Sequence, residues 1–319
     1  MHFATRSSVR PLSRSFKPLL EILEGRALLS AAITIVGHEM DIQADNAGSI
    51  ISVTDDGSGT MNAWVKTGNQ SINQMGHGIN KLVIHGGAGN DHAYFQTKGT
   101  LLHALELDMD LGAGNDNADL NFDRGISGAP VHLNLGAGMG LDSMDLTFGN
   151  IANSEVDVTG NLGHKHDTFH SVLFGGLSGN SVLNYNLQGN GAANLVDLDL
   201  RGKIDATAAL NVLDQNTPSA NDRLKIRYHG ELDGVMNVDV DQAAAWYGVQ
   251  SQFTLDAAST GTLNVKLMDA WYEYDSSLTV TDHSGGPKVS VIDRLAGFLT
   301  SPDGTMVSTE GPLPLVQQV

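Results

Sequence analysis

The chain contains no cysteine. That excludes disulfides, thiolate metal sites and a cysteine nucleophile. Proline is scarce, at 8 of 319 residues, so long stretches can pair as strands without a missing amide donor. Charged side chains make up only 17% of the chain, and among the acids there are 8 Glu against 28 Asp. Glu suits helix interiors, whereas Asp suits turns. Helix is therefore disfavoured from the outset. No apolar run approaches the roughly 20 residues that a membrane-spanning helix needs, so no transmembrane segment is expected.

What the chain has in quantity is glycine, 37 residues, and it is placed periodically. Gly86-Gly87-Ala88-Gly89-Asn90-Asp91 follows the apolar run Leu82-Val83-Ile84. Leu111-Gly112-Ala113-Gly114-Asn115-Asp116 repeats it 25 residues on, counted from Gly87 to Gly112. Leu135-Gly136-Ala137-Gly138 repeats it again, with Met139-Gly140-Leu141-Asp142 in place of Asn-Asp. A strand-and-turn unit recurring at 20–50 residues is the signature of stacked coils.

Between these turns lie short alternating segments. Val131-His132-Leu133-Asn134-Leu135 puts Val, Leu and Leu on one face and His and Asn on the other. The expected fold is an all-β parallel solenoid with coils of about 25 residues and two short strands in each. A polar or Gly-containing connection should follow the first strand and a tight turn the second. The same reading divides the chain into a leader at 1–32, N-terminal strands or a cap at 33–85, the solenoid at 86–300 and a mobile tail at 301–319. Within the solenoid, Ala245-Trp246-Tyr247 recurs as Ala270-Trp271-Tyr272, which is read either as a buried ladder or as a flat sugar-binding platform.

The net charge is −18. Residues 1–26 hold five of the 18 basic residues and two acids, so the remainder carries 13 basic against 34 acidic side chains, a net of −21. Such a surface repels nucleic-acid phosphate and attracts cations. The leader departs from everything after it. Its segment Leu20-Glu21-Ile22-Leu23-Glu24-Gly25-Arg26-Ala27-Leu28-Leu29-Ser30 resembles the bacterial N-terminal sorting segment built on Leu-Glu-x-Leu-Glu-x-Arg-x-Leu-Leu-Ser. That resemblance implies export to the cell envelope or the extracellular space.

The turn Gly86 to Asp91 also resembles the calcium-binding repeats of the repeats-in-toxin family, in which glycine carbonyls and an Asp carboxylate from stacked turns grip the ion. The residues that carry this over are Gly87, Gly89 and Asp91 in the first copy and Gly112, Gly114 and Asp116 in the second. Calcium is hard and takes six to eight oxygens, and glycine allows the backbone to turn its carbonyls together. The copies lie a whole coil apart here, whereas the family's repeats follow one another directly. Tight, solvated corners with Asp capping backbone amides are the other reading of the same residues. His164-Lys165-His166-Asp167, with His170 nearby, is either a metal-binding pair or polar decoration of a turn.

The function expected is non-enzymatic: a secreted or envelope structural or adhesive repeat protein, with calcium ions and a cell-surface glycan or envelope component as partners. The rival is an extracellular carbohydrate-active β-helix enzyme, a polysaccharide lyase or hydrolase, with Asp197, Asp199, Asp222, Arg223 and Arg227 as its converging groups. No nucleophile elbow, phosphate loop or zinc-protease helix is present.

Overall fold

A computed structural model describes residues 31–163, 165–189, 194–214, 223–242, 249–256, 258–269, 277–283, 288–293, 298–300 and 306–308. Among the described residues there is no helix, and the strands form three sheets. Residues 1–30 of the leader, the two Trp-Tyr pairs, His164 and Asp222 lie outside the described residues, while Ala32, read as the leader's last residue, opens the first strand.

The chain opens with antiparallel pairing. β1 (Ala32–Val36) folds back on β2 (Glu39–Gln43), and β3 (Ser49–Asp55), β4 (Met61–Thr67) and β5 (Gln70–Gly76) form a meander. β6 (Lys81–His85) then pairs parallel with β2, and β7 (His92–Thr97) parallel with β3. From that point each coil sends one strand to each of two sheets.

Sheet A gains β8 (Leu105–Asp110), β11 (Val131–Gly136), β14 (Glu155–Asn161), β17 (Val182–Gln188), β19 (Ala209–Asp214), β21 (Val235–Gln242), β23 (Thr262–Asp269) and β25 (Lys288–Asp293). Sheet B gains β9 (Asn117–Phe122), β12 (Ser143–Phe148), β15 (Thr168–Leu173), β18 (Leu195–Arg201), β20 (Arg223–Gly230), β22 (Val249–Leu255), β24 (Ser277–Asp282) and β26 (Phe298–Thr300). The result is an 11-stranded and a 13-stranded sheet, parallel except at their ends. The protein is a parallel β-solenoid.

The alternation read from sequence is the alternation of burial. Along β11, Val131, Leu133 and Leu135 are buried while His132 and Asn134 face out. Parallel, in-register pairing then stacks like on like. Leu105, Val131, Val156, Leu183, Leu210 and Met236 form one inward column of sheet A. On sheet B, Phe122 stacks on Phe148 with ring centroids 5.6 Å apart, and Phe95 lies 5.2 Å from Phe122. Between the sheets, Ser171 Oγ and Tyr185 Oη hydrogen-bond at 2.8 Å, so neither buried hydroxyl is left unsatisfied.

The connection after the sheet B strand is more than a polar link. β10 (Ile126–Ser127), β13 (Ile151–Ala152) and β16 (Leu177–Ser178) form a third parallel sheet. Isolated bridges extend it to Leu101 on one side and to Ile204 and Leu232 on the other. These six aliphatic side chains are buried, 0–1% exposed, and close the third side of the core.

Both ends depart from the parallel pattern. Ile33 and Ile35 of β1 pack against the first coil's core, and a Cβ on Gly76 of β5 would meet the side chains of Ile79 and Ile35. β1 and β5 thus close the open end that a stack of coils would otherwise present. At the far end β27 (Met306–Ser308) pairs antiparallel with β26. A short piece of the stretch read as a tail thereby extends sheet B.

Phe122 is fully buried between two other phenylalanines. Phe122→Ala is expected to cost about 3–5 kcal/mol, read as a lower midpoint in urea denaturation. An unchanged midpoint would contradict the packed column.

Candidate functional site

The glycine-rich turns from sheet A to sheet B stand directly over one another. Gly87, Gly112, Gly138 and Gly163 share a left-handed backbone, with φ of 108°, 89°, 91° and 76°. A Cβ on Gly112 would lie 2.0 Å from Gly87 O, and one on Gly138 would lie 1.9 Å from Gly112 O. Glycine is needed here for handedness and for close approach. Ala113 N donates to Gly87 O at 2.8 Å and Met139 N to Gly112 O at 2.7 Å, so these carbonyls bond the turns to one another. Gly89 and Gly114 form a neighbouring column, where a Cβ on Gly114 would meet Gly89 O at 2.0 Å.

Asp91 and Asp116 close these turns and point inward, 0% and 3% exposed. Asp91 Oδ1 accepts the Ser49 amide at 2.6 Å, and Asp116 Oδ1 accepts the Asp91 amide at 2.7 Å. The series continues beyond the two copies singled out by sequence. Asp142 Oδ1 accepts the Asp116 amide at 2.8 Å, Asp167 Oδ1 the Asp142 amide at 2.9 Å, and Asn194 Oδ1 the Asp167 amide at 3.0 Å. The backbone carbonyls of Asp91, Asp116, Asp142 and Asp167 accept from the next coil in the ordinary parallel way. Each side chain therefore supplies the acceptor that the corner removes from the backbone ladder. Asp142 ends the third glycine-rich copy, whereas the only sequence signal for Asp167 and Asn194 is their spacing of 25 and 27 residues from the member before.

The second oxygen, Oδ2, of Asp91, Asp116, Asp142 and Asp167 is buried without a hydrogen bond. Burial pushes the Asp91 carboxyl up to about 7, against the Ser49 amide, which pulls it down; Asp116 and Asp45 push it further up. Burial likewise raises Asp116 and Asp167 to about 6 and raises Asp142. Among the described residues no group of three or more His, Cys, Asp or Glu side chains is gathered as a metal cluster.

A further buried carboxylate pins the N-terminal meander to the stack. Asp55 Oδ1 accepts the Gly57 amide at 2.7 Å, and His103 Nε2 lies 2.7 Å from Asp55 Oδ2. The other ring nitrogen of His103 faces Ala104 O at 2.8 Å, so both nitrogens meet oxygens. Burial lowers the His103 pKa, but Asp55 outweighs it and the net shift is upward.

The outer face of sheet A carries polar side chains in register. One column runs Lys81, Glu106, His132, Asp157, Asn184, Asn211, Asn237 and Asn264. Its members bond along the column: Lys81 Nζ to Glu106 at 2.8 Å, His132 Nδ1 to Asp157 at 2.9 Å, and Asn184 Nδ2 to Asp157 at 2.6 Å. Asn211, Asn237 and Asn264 each donate to the preceding Asn at 2.7–2.8 Å. Two adjoining hollows of about 250 Å³ and 520 Å³ lie on this face and share Asn134 and Thr159.

On sheet B the carboxylates proposed for an enzyme are paired. Arg227 donates to Asp197 at 2.6 Å, and Arg201 grips Asp199 with two nitrogens. Arg223 stands on the same strand as Arg227, exposed. His170 pairs with Asp145 at 3.2 Å, and His166 lies in the turn before Asp167.

The raised carboxyls fix a pH dependence. In the unfolded chain these Asp groups titrate near 3.8, whereas in the folded chain they hold their protons up to about 6–7. The folded state binds more protons in that window, so stability falls as pH rises through it. His103, also raised, acts in the same direction. The melting temperature should be higher at pH 5 than at pH 8. Asp116→Asn keeps the Oδ1 acceptor, as Asn194 does one end further on, and should raise the melting temperature at pH 8 and flatten the decline. A wild-type protein that melts higher at pH 8 than at pH 5 would contradict this.

No family model, no curated protein and no solved structure matches the chain, so its function has to be read from this geometry.

Proposed function

We propose that the protein is a non-enzymatic structural or adhesive solenoid of the cell envelope or extracellular space. The observation that carries the reading is the use made of polar side chains. The Asp column and the Asn column spend their hydrogen bonds joining one coil to the next, along most of the described length. Such chemistry holds a long, regular surface in place. The carboxylates that a glycan-cleaving site would need on sheet B are engaged by arginines instead. The sorting-type segment at 20–30 supports the location, and the acidic surface disfavours nucleic acid as a partner. Among the described residues no helix is long and apolar enough to cross a membrane.

Calcium belongs to the proposal as a stabiliser of the turn stack. The oxygens left for it are Asp91 Oδ2 and Asp116 Oδ2, which carry no hydrogen bond and belong to the same turns as Gly87, Gly89, Gly112 and Gly114. A bound divalent cation would offset the repulsion between carboxylates one coil apart.

Two measurements test the reading. Antibody against the protein should find it in the envelope fraction or the medium of the producing cells; a purely cytoplasmic signal would sink it. The melting temperature should rise with millimolar calcium by several degrees and fall back with EDTA, and Asp91→Asn with Asp116→Asn should remove the response. Indifference to calcium would remove the ion and leave the structural role standing.

A further inference from the structure

The closure at the N-terminal end finishes in an edge of its own. β5 is the last strand of sheet B, and among the described residues no strand pairs with its outer side. Edge strands are ordinarily protected by a charge, a proline, a bulge or a cover. β5 has no charged residue and no proline. Its register with β4 runs unbroken from Met61↔Gly76 to Thr67↔Gln70, so it has no bulge either. Gln70 through Asn73 are exposed without interruption.

The edge also carries apolar surface that the chain does not cover. Ile72 stands opposite the buried Val65 of β4, on the core side of the sheet, yet it is 36% exposed. Ile33 and Ile35 of β1, at the end of sheet A, are likewise only partly buried. The stack therefore ends on half-covered isoleucines carried by two uncharged strands, Ala32–Val36 and Gln70–Gly76. The chain beyond residue 26, by contrast, holds 13 basic against 34 acidic side chains.

We propose that β5 is a dimerisation edge, on which a second copy of the chain pairs its own β5 across a two-fold axis at Ile72. Symmetry sets the direction. A strand that meets its own copy across a two-fold runs antiparallel to it, and antiparallel is the pairing that β3, β4 and β5 already use at this end. The side chains set the register. Directly opposed residues lie on one face of the sheet. The core-side residues of β5 are Gln70, Ile72, Gln74 and Gly76, so the only apolar side chain that can oppose Ile72 is Ile72 of the other copy. Ser71 then opposes Asn73 and Gln70 opposes Gln74, polar against polar. Charge favours a second copy over the chain's own leader. Residues 1–26 hold five basic and two acidic side chains, which find no counter-charge on β5 but many on the acidic solenoid. Two acidic molecules, in turn, meet with least repulsion through uncharged ends. A two-fold contact closes at two copies, whereas a head-to-tail contact would run on into a filament.

The test uses the full chain, whose lack of cysteine makes it direct. Sedimentation velocity at micromolar concentration should show a dimer. Ile72→Lys sets two like charges opposite one another and should weaken the dimer about tenfold or more, with the circular dichroism spectrum unchanged. Ile72→Cys brings two Cα atoms to about 4.5–5.5 Å, within disulfide reach, and should oxidise to a covalent dimer. Met75→Cys is also at an exposed position, but in this register it stands about 20 Å from its copy and should not cross-link. The two cysteine variants decide the matter if Ile72→Lys misfolds. A monomeric chain overturns the inference, as does growth into filaments or equal cross-linking at both positions. Slow hydrogen exchange of the β5 amides in a monomer would place the leader on this edge, and overturns it too.

Discussion

Everything in this structure depends on one hydrogen bond made at a corner. A parallel stack requires each coil to present its amides and carbonyls to the next at about 4.8 Å. A corner tight enough to join two sheets turns part of that backbone away. At Asp91, Asp116, Asp142 and Asp167 the carbonyl still reaches the next coil, but the amide has no carbonyl opposite it, and a side-chain oxygen from the following coil takes it, a carboxylate's at the first three and the Asn194 amide's at Asp167. The side chain completes a ladder that the turn would break. A buried amide left unpaired would cost on the order of 1–3 kcal/mol, and here that cost is avoided at every coil of the series.

The solution brings its own strain. A carboxylate has two oxygens and the corner needs one, so a like-charged column with unsatisfied Oδ2 atoms runs inside the protein. Proton uptake relieves it, which is why burial and neighbouring Asp groups hold these carboxyls so far above their ordinary range. Asn194 supplies the same Oδ1 acceptor without the charge, at the end of the series. The identity of the side chain is thus set by one oxygen's position, and its charge is secondary. This separates the present turns from a simple ion-binding loop: the Asp is already bonded, to its own chain, before any cation is considered.

How much of this could be read from the residues follows from which interactions are local. Strand alternation and glycine turns are local, so Val131 to Leu135 and Gly112 to Gly114 declare themselves. The Asp column is not local. Asp167 sits behind His164-Lys165-His166 with no Gly-x-Gly before it, and only its neighbours one coil away reveal what it does. Ser49 is 42 residues from Asp91 because the β4–β5 hairpin interrupts the first coil, and that insertion hides the period there. The third sheet was invisible for a different reason. With two residues per strand it has no alternation to detect, and Ile126, Ile151 and Leu177 look like isolated apolar residues in polar connections.

The same distinction between local need and stacked need sorts the glycines. Gly112 and Gly138 could be nothing else, since a Cβ on either would fall within about 2.0 Å of the carbonyl below. The constraint is mechanical and repeats wherever the turn repeats. Gly136 stands two residues from Gly138 in the same hydrophobic repeat, Leu135-Gly136-Ala137-Gly138, and looks equivalent in sequence. In the fold it is the last residue of a strand, in ordinary backbone geometry, facing outward with room above it. A stack that repeats one shape along its length offers a partner no particular place to bind. A missing side chain in a single coil breaks that sameness at low cost, because the backbone ladder does not pass through side chains on the outer face. Specific recognition on such a surface therefore requires departures from the repeat that the corners do not need, and on sheet A Gly136 is such a departure.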